Sequence, residues 1–194
     1  MPMDKVKTRN ARRAERWKQN YIKQRNLYRE IQKNASDIIQ SKNFNRTKFH
    51  VQHGDMTVNS HCMNVAKYSL AISDKLAKMG IHCKRNELVR GALLHDYFLY
   101  DWHKHPHVGI TNLHGFRHPR RALENAEKEY NLTPRERDII VKHMWPLTVV
   151  PPTCREAWIV TTADKWCSLL ETFHILKGHG AKRKDTTQEN EGTL

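Results

Sequence analysis

Residues 89–96 read VRGALLHD, an apolar segment that ends in adjacent histidine and aspartate side chains. Apolar residues occupy nearly every side of this segment, which predicts a central, buried helix that begins near residue 85. His95 and Asp96 at the end of such a helix are costly to bury unless both are satisfied. A metal ion bound by imidazole nitrogen and carboxylate oxygen would satisfy both, and a hydrogen-bonded structural pair is the alternative.

The segment before this helix predicts an amphipathic helix that carries another histidine. Thr57 or Asn59 is expected to cap its start, and Gly80 is expected to end it. His61 lies four residues before the apolar Val65, so we expect it on or near the buried face. A satisfied core histidine is the alternative to a metal ligand at this position.

The rest of the chain also predicts helices and loops. Residues 50–61 and 100–117 are expected to be loops, and no segment has the pattern of a β-hairpin. A helix is expected to begin at Pro119, since proline suits the first helical position. Thr133 is expected to cap the next helix, and residues 155–176 are expected to form the last one. The predicted fold class is therefore an all-α helical bundle.

Further polar residues interrupt these helical patterns. The chain has 13 histidines, and six of them fall between His95 and His118. Asp164 lies within the apolar pattern IVTTADKWCSLL, where a buried acid needs a partner. His118 precedes one helix and His143 ends another, and at both places side chains can converge on a cleft. These residues are candidates for the same site as the His-Asp pair.

Charge divides the chain unevenly. Of the net charge of +14, residues 1–48 hold +10, from fourteen basic and four acidic residues. Their apolar positions predict one amphipathic helix with a sparse stripe. The alternatives are a helix that packs on the domain, an arm that binds polyanions such as nucleic acid, and disorder. We predict a basic helical extension over 1–48, a domain over 49–177 and a disordered tail over 178–194.

The sequence has no run long and apolar enough for a membrane span and no secretory signal pattern, so we expect a cytoplasmic protein without a membrane partner. The four cysteines form no CxxC pair, which gives no support to a zinc finger. The sequence leaves the oligomeric state open.

The histidines and aspartates, in the order H…HD…H…H…D, resemble the HD-domain superfamily of metal-dependent phosphohydrolases, in its bacterial, dinuclear type. The resemblance covers roughly residues 50–175 and rests on SHCMNVAKYS at the first histidine, VRGALLHD at the doublet and TTADKWCSLLE at the last acid. RHP at 117–119 and KHMWP at 142–146 look like the two additional histidines of the dinuclear branches. The GYP triplet typical of the cyclic-dinucleotide class does not follow the doublet, so the substrate stays open.

The resemblance implies a ligand set for two metal ions. The first ion would be bound by four residues: His61, His95, Asp96 and Asp164. Asp96 would bridge to a second ion completed by His118 and His143. Mixed imidazole and carboxylate ligands favour manganese or iron and are compatible with zinc, cobalt or magnesium. The implied activity is hydrolysis of a phosphate ester or anhydride, such as that of a nucleotide, by metal-activated water.

Residues that would contact the substrate follow from position and charge. Lys165 directly follows Asp164 and is a candidate catalytic cation. Arg117 and Arg121 flank His118 near a predicted helix start, which favours anions such as phosphate. A histidine of the following loop is a candidate for acid–base assistance, and a solvated loop residue is the alternative for each of His103, His105, His107 and His114.

Two alternative functions stay open. The first is a mononuclear nucleotidase or phosphatase, in which His118 and His143 are structural. The second is a nucleic-acid-associated protein that acts through the basic N-terminal extension, with the helical domain as a scaffold. The number of bound metal ions separates the first alternative from the dinuclear enzyme, and salt-sensitive binding would identify the second.

Overall fold

Helices form most of the described part of the protein. The computed structural model describes residues 3–53, 56–98, 114–173 and 175–176. The helices are α1 (Met3–Gln40), α2 (Lys42–Arg46), α3 (Val58–Ala77), α4 (Arg85–Leu94), α5 (His114–Glu129), α6 (Pro134–Lys142) and α7 (Arg155–Thr172), with a 3-10 turn over Thr47–Phe49. Two short strands, β1 (Val51–His53) and β2 (Met56–Thr57), pair in antiparallel fashion. The predicted all-α class is confirmed.

Helix α4 lies at the centre of the bundle, as its apolar pattern predicts. It packs against α1, α3, α6 and α7, and its apolar side chains are fully buried. Gly91 allows the close approach of α6, because a Cβ atom at this position would lie 2.5 Å from Cδ1 of Ile139. Because α4 is central, His95 and Asp96, which follow it, lie in the interior of the protein.

The predicted helix boundaries agree with the structure where a capping residue defines them. The Thr57 side chain accepts a hydrogen bond from the backbone N–H of Ser60 and caps α3. Gly80 has a φ of 79° and follows the end of α3. Thr133 and Glu136 form a reciprocal capping box at the start of α6.

Three local predictions were wrong. Helix α5 begins at His114, so Pro119 lies inside it, although its ring nitrogen cannot donate to a carbonyl of the preceding turn. Helix α7 ends at Thr172, four residues early. Residues expected to form only a loop contain the β1–β2 pair, with Val51 opposite Thr57. A pairing this short has no alternating pattern long enough to detect in the sequence.

Helix α1 has two halves with different environments. Every residue from 9 to 26 is exposed, whereas the apolar stripe from Leu27 through Ile31 to Ile38 is buried. Arg90 of α4 fastens this second half, since its guanidinium pairs with Asp37 of α1 at 2.6 Å and with Glu136 of α6 at 2.8 Å. A helix is thus confirmed for most of this segment, but it is interrupted at Ala35, where φ is −150° and ψ is 41°, and residues 42–46 form the separate helix α2. Only the second half of α1 packs on the bundle.

None of the described helices is both long and apolar enough to cross a membrane. The predicted loop at residues 100–117 lies mostly outside the described residues, and so does the predicted disordered tail.

Candidate metal centre

Five helices bring six polar side chains to one buried point. His61 lies in the second turn of α3, His118 on α5 and Asp164 on α7, while His95 and His143 follow the last residues of α4 and α6. No residue of the set exposes more than 6% of its surface, the set being His61, His95, Asp96, His118, His143 and Asp164. The structure therefore brings together all six residues that the sequence analysis named as ligands.

His95 and His143 are oriented by the helices that they end. Each is the C-cap residue of its helix, and its Nδ1 lies 2.8 Å from a carbonyl oxygen of the last turn, that of Ala92 or Ile140. An Nδ1–H that donates to this carbonyl satisfies a group that the helix leaves unpaired. In the neutral ring, Nε2 then carries the lone pair and faces the cluster.

His61 is oriented from another helix by Glu171. Nδ1 of His61 donates to Oε2 of Glu171 at 2.8 Å, and Nε2 of the same ring lies 3.1 Å from Oδ1 of Asp164. Glu171 is not among the site residues expected from the sequence. Its spacing was the available signal, because Glu171 follows Asp164 by seven residues and two helical turns return it to the same face.

Asp96 lies between two groups of histidines. Its Oδ2 is 3.4 Å from Nε2 of His95 and 3.8 Å from Nε2 of His61. Its Oδ1 is 3.1 Å from Nε2 of His118 and 3.5 Å from Nε2 of His143. The two oxygens of one carboxylate therefore face opposite sides of the cluster.

The spacing of these atoms fits divalent metal ligands. Donors about 2.1 Å from a common ion are separated by about 3.0 Å in octahedral and about 3.4 Å in tetrahedral geometry. The separations at Asp96 and at His61 are close to this range, and three overlapping triads have their donor atoms within 4.8 Å of one another. Within the described part of the chain, the buried Nε2 of His95 has no hydrogen-bond partner. A cation would bind the lone pair of this nitrogen.

Charge coupling shifts the pKa values of the cluster strongly. Burial lowers the pKa of His61, but its hydrogen bonds to Asp164 and Glu171 outweigh burial and raise this pKa to about 10. Burial also lowers the pKa of His95, but the negative charge of Asp96 outweighs burial and raises this pKa well above its usual value. Burial raises the pKa values of the two aspartates, and the histidines hold both well below the usual range. Without a cation, protons on histidine balance the carboxylates.

His143 differs from these two histidines, because burial lowers its pKa. Its Nε2 lies 2.9 Å from Nε2 of His118. With Nδ1 of His143 donating to Ile140, its Nε2 has a lone pair that faces Nε2 of His118. Both nitrogens also face Oδ1 of Asp96, so the pair can bind a cation when each ring carries its proton on Nδ1 and leaves the lone pair of Nε2 free.

The expected substrate-contacting residues are neighbours of clustered residues in the sequence. Lys165 is exposed on α7, its ammonium group donates to the carbonyl oxygen of His143 at 3.1 Å, and desolvation lowers its pKa. Arg117 and Arg121 are exposed on α5, on either side of the buried His118. Three of the loop histidines (His103, His105 and His107) lie outside the described residues, and the side chain of His114 is also not described.

Comparison with known proteins gives one match. The HD domain family model matches residues 58–168, which is more than half of the chain and includes all six clustered residues. Neither a curated protein nor a solved structure matches the chain.

Proposed function

The chain belongs to the HD-domain family, whose members are in general metal-dependent phosphohydrolases, and we propose that it hydrolyses an ester or anhydride bond of a small phosphorylated substrate such as a nucleotide. The observation that carries this proposal is the convergence of four histidines and two aspartates on one buried point. Burial of so many ionisable groups is costly unless they have a common binding partner.

We further propose that the centre holds two divalent cations. Asp96 supports this number, because its Oδ2 faces His61 and His95 while its Oδ1 faces His118 and His143. A carboxylate with ligands on both sides is suited to bridge two ions. Manganese or iron suits the mixed imidazole and carboxylate donors best, and zinc, cobalt and magnesium remain candidates.

When bound, two cations would lower the pKa of a water molecule and would neutralise charge on the phosphoryl oxygens. The protein's own part is to hold the donors in place before the substrate arrives. Ala92, Ile140 and Glu171 fix the outer nitrogens of three histidines at 2.8 Å. Arg117, Arg121 and Lys165 provide cationic groups around the cluster that would attract a phosphate group.

A mononuclear enzyme is the second candidate. It is favoured by one contact, the 2.9 Å separation of the Nε2 atoms of His118 and His143. In this alternative the two rings share a proton and only support the carboxylate of Asp96.

Elemental analysis of the purified protein separates these candidates. We expect about two metal ions per chain in the wild type, about one in His118→Ala/His143→Ala, and none in His95→Ala/Asp96→Ala. Hydrolysis of a generic phosphodiester and of a nucleotide panel is expected to be lost in both double variants. His82→Ala is the matched control, since it removes an exposed histidine outside the cluster.

About one ion per wild-type chain, with activity retained in His118→Ala/His143→Ala, would favour the mononuclear enzyme. A wild-type protein that binds no metal and hydrolyses nothing after reconstitution with manganese or iron would contradict the proposed function.

A further inference from the structure

We propose that the exposed half of α1 binds single-stranded nucleic acid, a function separate from hydrolysis at the metal centre. We call residues 9–26 the arm. Every residue of the arm is exposed, although the same helix is buried at Leu27 and at Ile31. At 1.5 Å per residue the arm is about 27 Å long. It thus offers a long helical surface on which the described bundle does not pack.

The arm carries a concentrated positive charge. Seven of its residues are basic, and Glu15 is the single acid, which gives a net charge of +6. Glu15 accepts a hydrogen bond from Gln19 at 2.7 Å, and within the described residues no cation of the arm forms an ion pair. At 100° per residue, five of the cations fall within an arc of about 100°. These are Arg9, Arg12, Arg13, Arg16 and Lys23.

Exposed aromatic rings lie beside this basic stripe. Trp17 and Tyr21 stack on each other with their ring centroids 5.6 Å apart and their planes at 12°. They are 70% and 55% exposed, and the 40% exposed Tyr28 follows two turns after Tyr21. Exposed rings adjacent to a row of cations are what proteins use to stack unpaired bases while they bind the phosphate backbone. Duplex DNA or RNA hides its base faces, so single strands fit this surface better.

The composition of the arm favours nucleic acid over an anionic membrane. A helix that lies in a membrane surface needs a broad apolar face to insert. Apart from two alanines, the arm has Trp17, Tyr21 and Ile22 as its apolar or aromatic residues and contains no leucine, phenylalanine, valine or methionine. Five of its seven cations are arginines, whose planar guanidinium groups bind phosphate oxygens in pairs. Its asparagine and glutamine side chains can bond to base edges.

The packed residues that follow the arm hold it in a defined direction. Leu27 and Ile31 are buried, and Glu30 pairs with Arg85 of α4 at 3.1 Å. The helix has no non-helical residue between the arm and Ala35. A strand bound to the arm is therefore positioned relative to the domain, and the arm needs no folding step to bind it.

Fluorescence anisotropy with the full-length protein tests the proposal. The probes are fluorescein-labelled RNA and DNA of about 20 nucleotides and mixed sequence, single-stranded and duplex. The charge variant is Arg12→Gln/Arg13→Gln/Arg16→Gln, and the aromatic variant is Trp17→Ala/Tyr21→Ala. The matched control, Lys42→Gln/Lys75→Gln/Lys78→Gln, removes the same charge from exposed positions outside the arm. Circular dichroism and metal content verify that each variant is folded.

We expect the wild type to bind single strands with an affinity that falls steeply with salt. The charge variant should weaken binding by about tenfold or more and reduce the slope against the logarithm of salt by about 2 to 3, with the control within about twofold of wild type. The aromatic variant should weaken single-strand binding more than duplex binding. The single-stranded probe that binds with the higher affinity, RNA or DNA, would identify the preferred ligand.

Equal affinities of the charge variant and the control would overturn the proposal. So would a wild-type protein that fails to bind any oligonucleotide at physiological salt but binds vesicles of phosphatidylserine and phosphatidylcholine. Metal content and hydrolysis are measured separately from oligonucleotide binding. A failure of the proposed nucleic-acid binding can therefore be distinguished from a failure of the proposed phosphohydrolase activity.

Discussion

At the scale of single residues, Glu171 has the clearest indirect role in the centre. Its buried carboxylate accepts a hydrogen bond from Nδ1–H of His61 at 2.8 Å. Its carboxylate fixes the orientation of the ring and makes the opposite nitrogen a better donor to a cation. It is a positioning residue.

Replacement of Glu171 should weaken metal binding without removing a ligand. We expect Glu171→Ala to lower the affinity of the first ion by about 10- to 100-fold, because such partners of ligating histidines typically contribute this much. Glu171→Gln should lose less, since its amide oxygen can still accept from Nδ1. Competition with a metal chelator measures both, and Glu124→Ala on the exposed side of α5 is the control. An unchanged affinity in Glu171→Ala would contradict this role.

Most residues of the candidate site could be predicted from the sequence, because the order of histidines and aspartates along the chain resembles that of a known family. The six clustered residues come together as expected, and their role as ligands stays a prediction. Glu171 was missed because an acid near a helix end usually lies in solvent, and only the three-dimensional packing of α3 on α7 shows that it meets His61. The role of Lys165 depends on a substrate position that no sequence pattern defines.

At the scale of secondary-structure elements, the packing of α4 against α6 positions His95 and Asp96 relative to His143. Gly91 makes this contact close, since a Cβ atom there would lie 2.5 Å from Cδ1 and 2.9 Å from Cγ2 of Ile139. A larger residue must push the helices apart. Movement of either helix would displace a C-cap histidine.

Gly91→Ala should therefore lower the free energy of unfolding by about 1–3 kcal/mol, the usual cost of overpacking. Ile139→Val removes the nearest methyl group, so we expect the double variant to be less destabilised than the sum of the single variants. Urea denaturation measures all three. Additive effects, or no destabilisation in Gly91→Ala, would contradict the proposed steric contact.

Element boundaries could be predicted where a side chain or a glycine defines them, as at Thr57, Gly80 and Thr133. The start of α5 could not, because a proline is compatible with a helix start but does not require one. Its position inside α5 costs one backbone hydrogen bond, and the burial of Pro119 and His118 offsets that cost.

At the scale of the whole molecule, the metal centre couples folding to pH. Protons on His61 and His95 stabilise the metal-free fold because the folded protein raises both pKa values. For His61 this contribution is complete below about pH 6.5, the pKa of an unperturbed histidine, and is lost as pH rises toward about 10. A bound cation would take over from these protons.

The melting temperature of the metal-free protein should therefore fall between about pH 6.5 and 10, and manganese should reduce this fall. Metal saturation at about 100 times the dissociation constant should add about 2.7 kcal/mol of stability. Metal uptake should also release protons, which a weakly buffered titration with a pH indicator detects. A melting temperature of the metal-free protein that rises across this range would contradict the assigned charge balance.

The division of charge along the chain was visible in the sequence, and the helical character of its basic part could be predicted. The sequence did not reveal that the change from exposed to packed helix falls at Leu27. The packed half is joined to α4 by the ion pairs of Arg85 and Arg90, whose acidic partners are distant in the sequence. Long-range pairs of this kind leave no periodic pattern.

The C-cap histidines also limit how this protein can change in length. Helix α6 begins at the capping box of Thr133 and ends at its C-cap residue His143. The number of residues between Thr133 and His143 therefore determines where the ring of His143 lies. Deletion or insertion of one residue would shift the ring by about 1.5 Å and turn it by about 100°. Helix α4 sets the position of His95 in the same way. We therefore expect an inserted or deleted residue to be tolerated in the segments between helices and to disrupt the centre when it falls within α4 or α6.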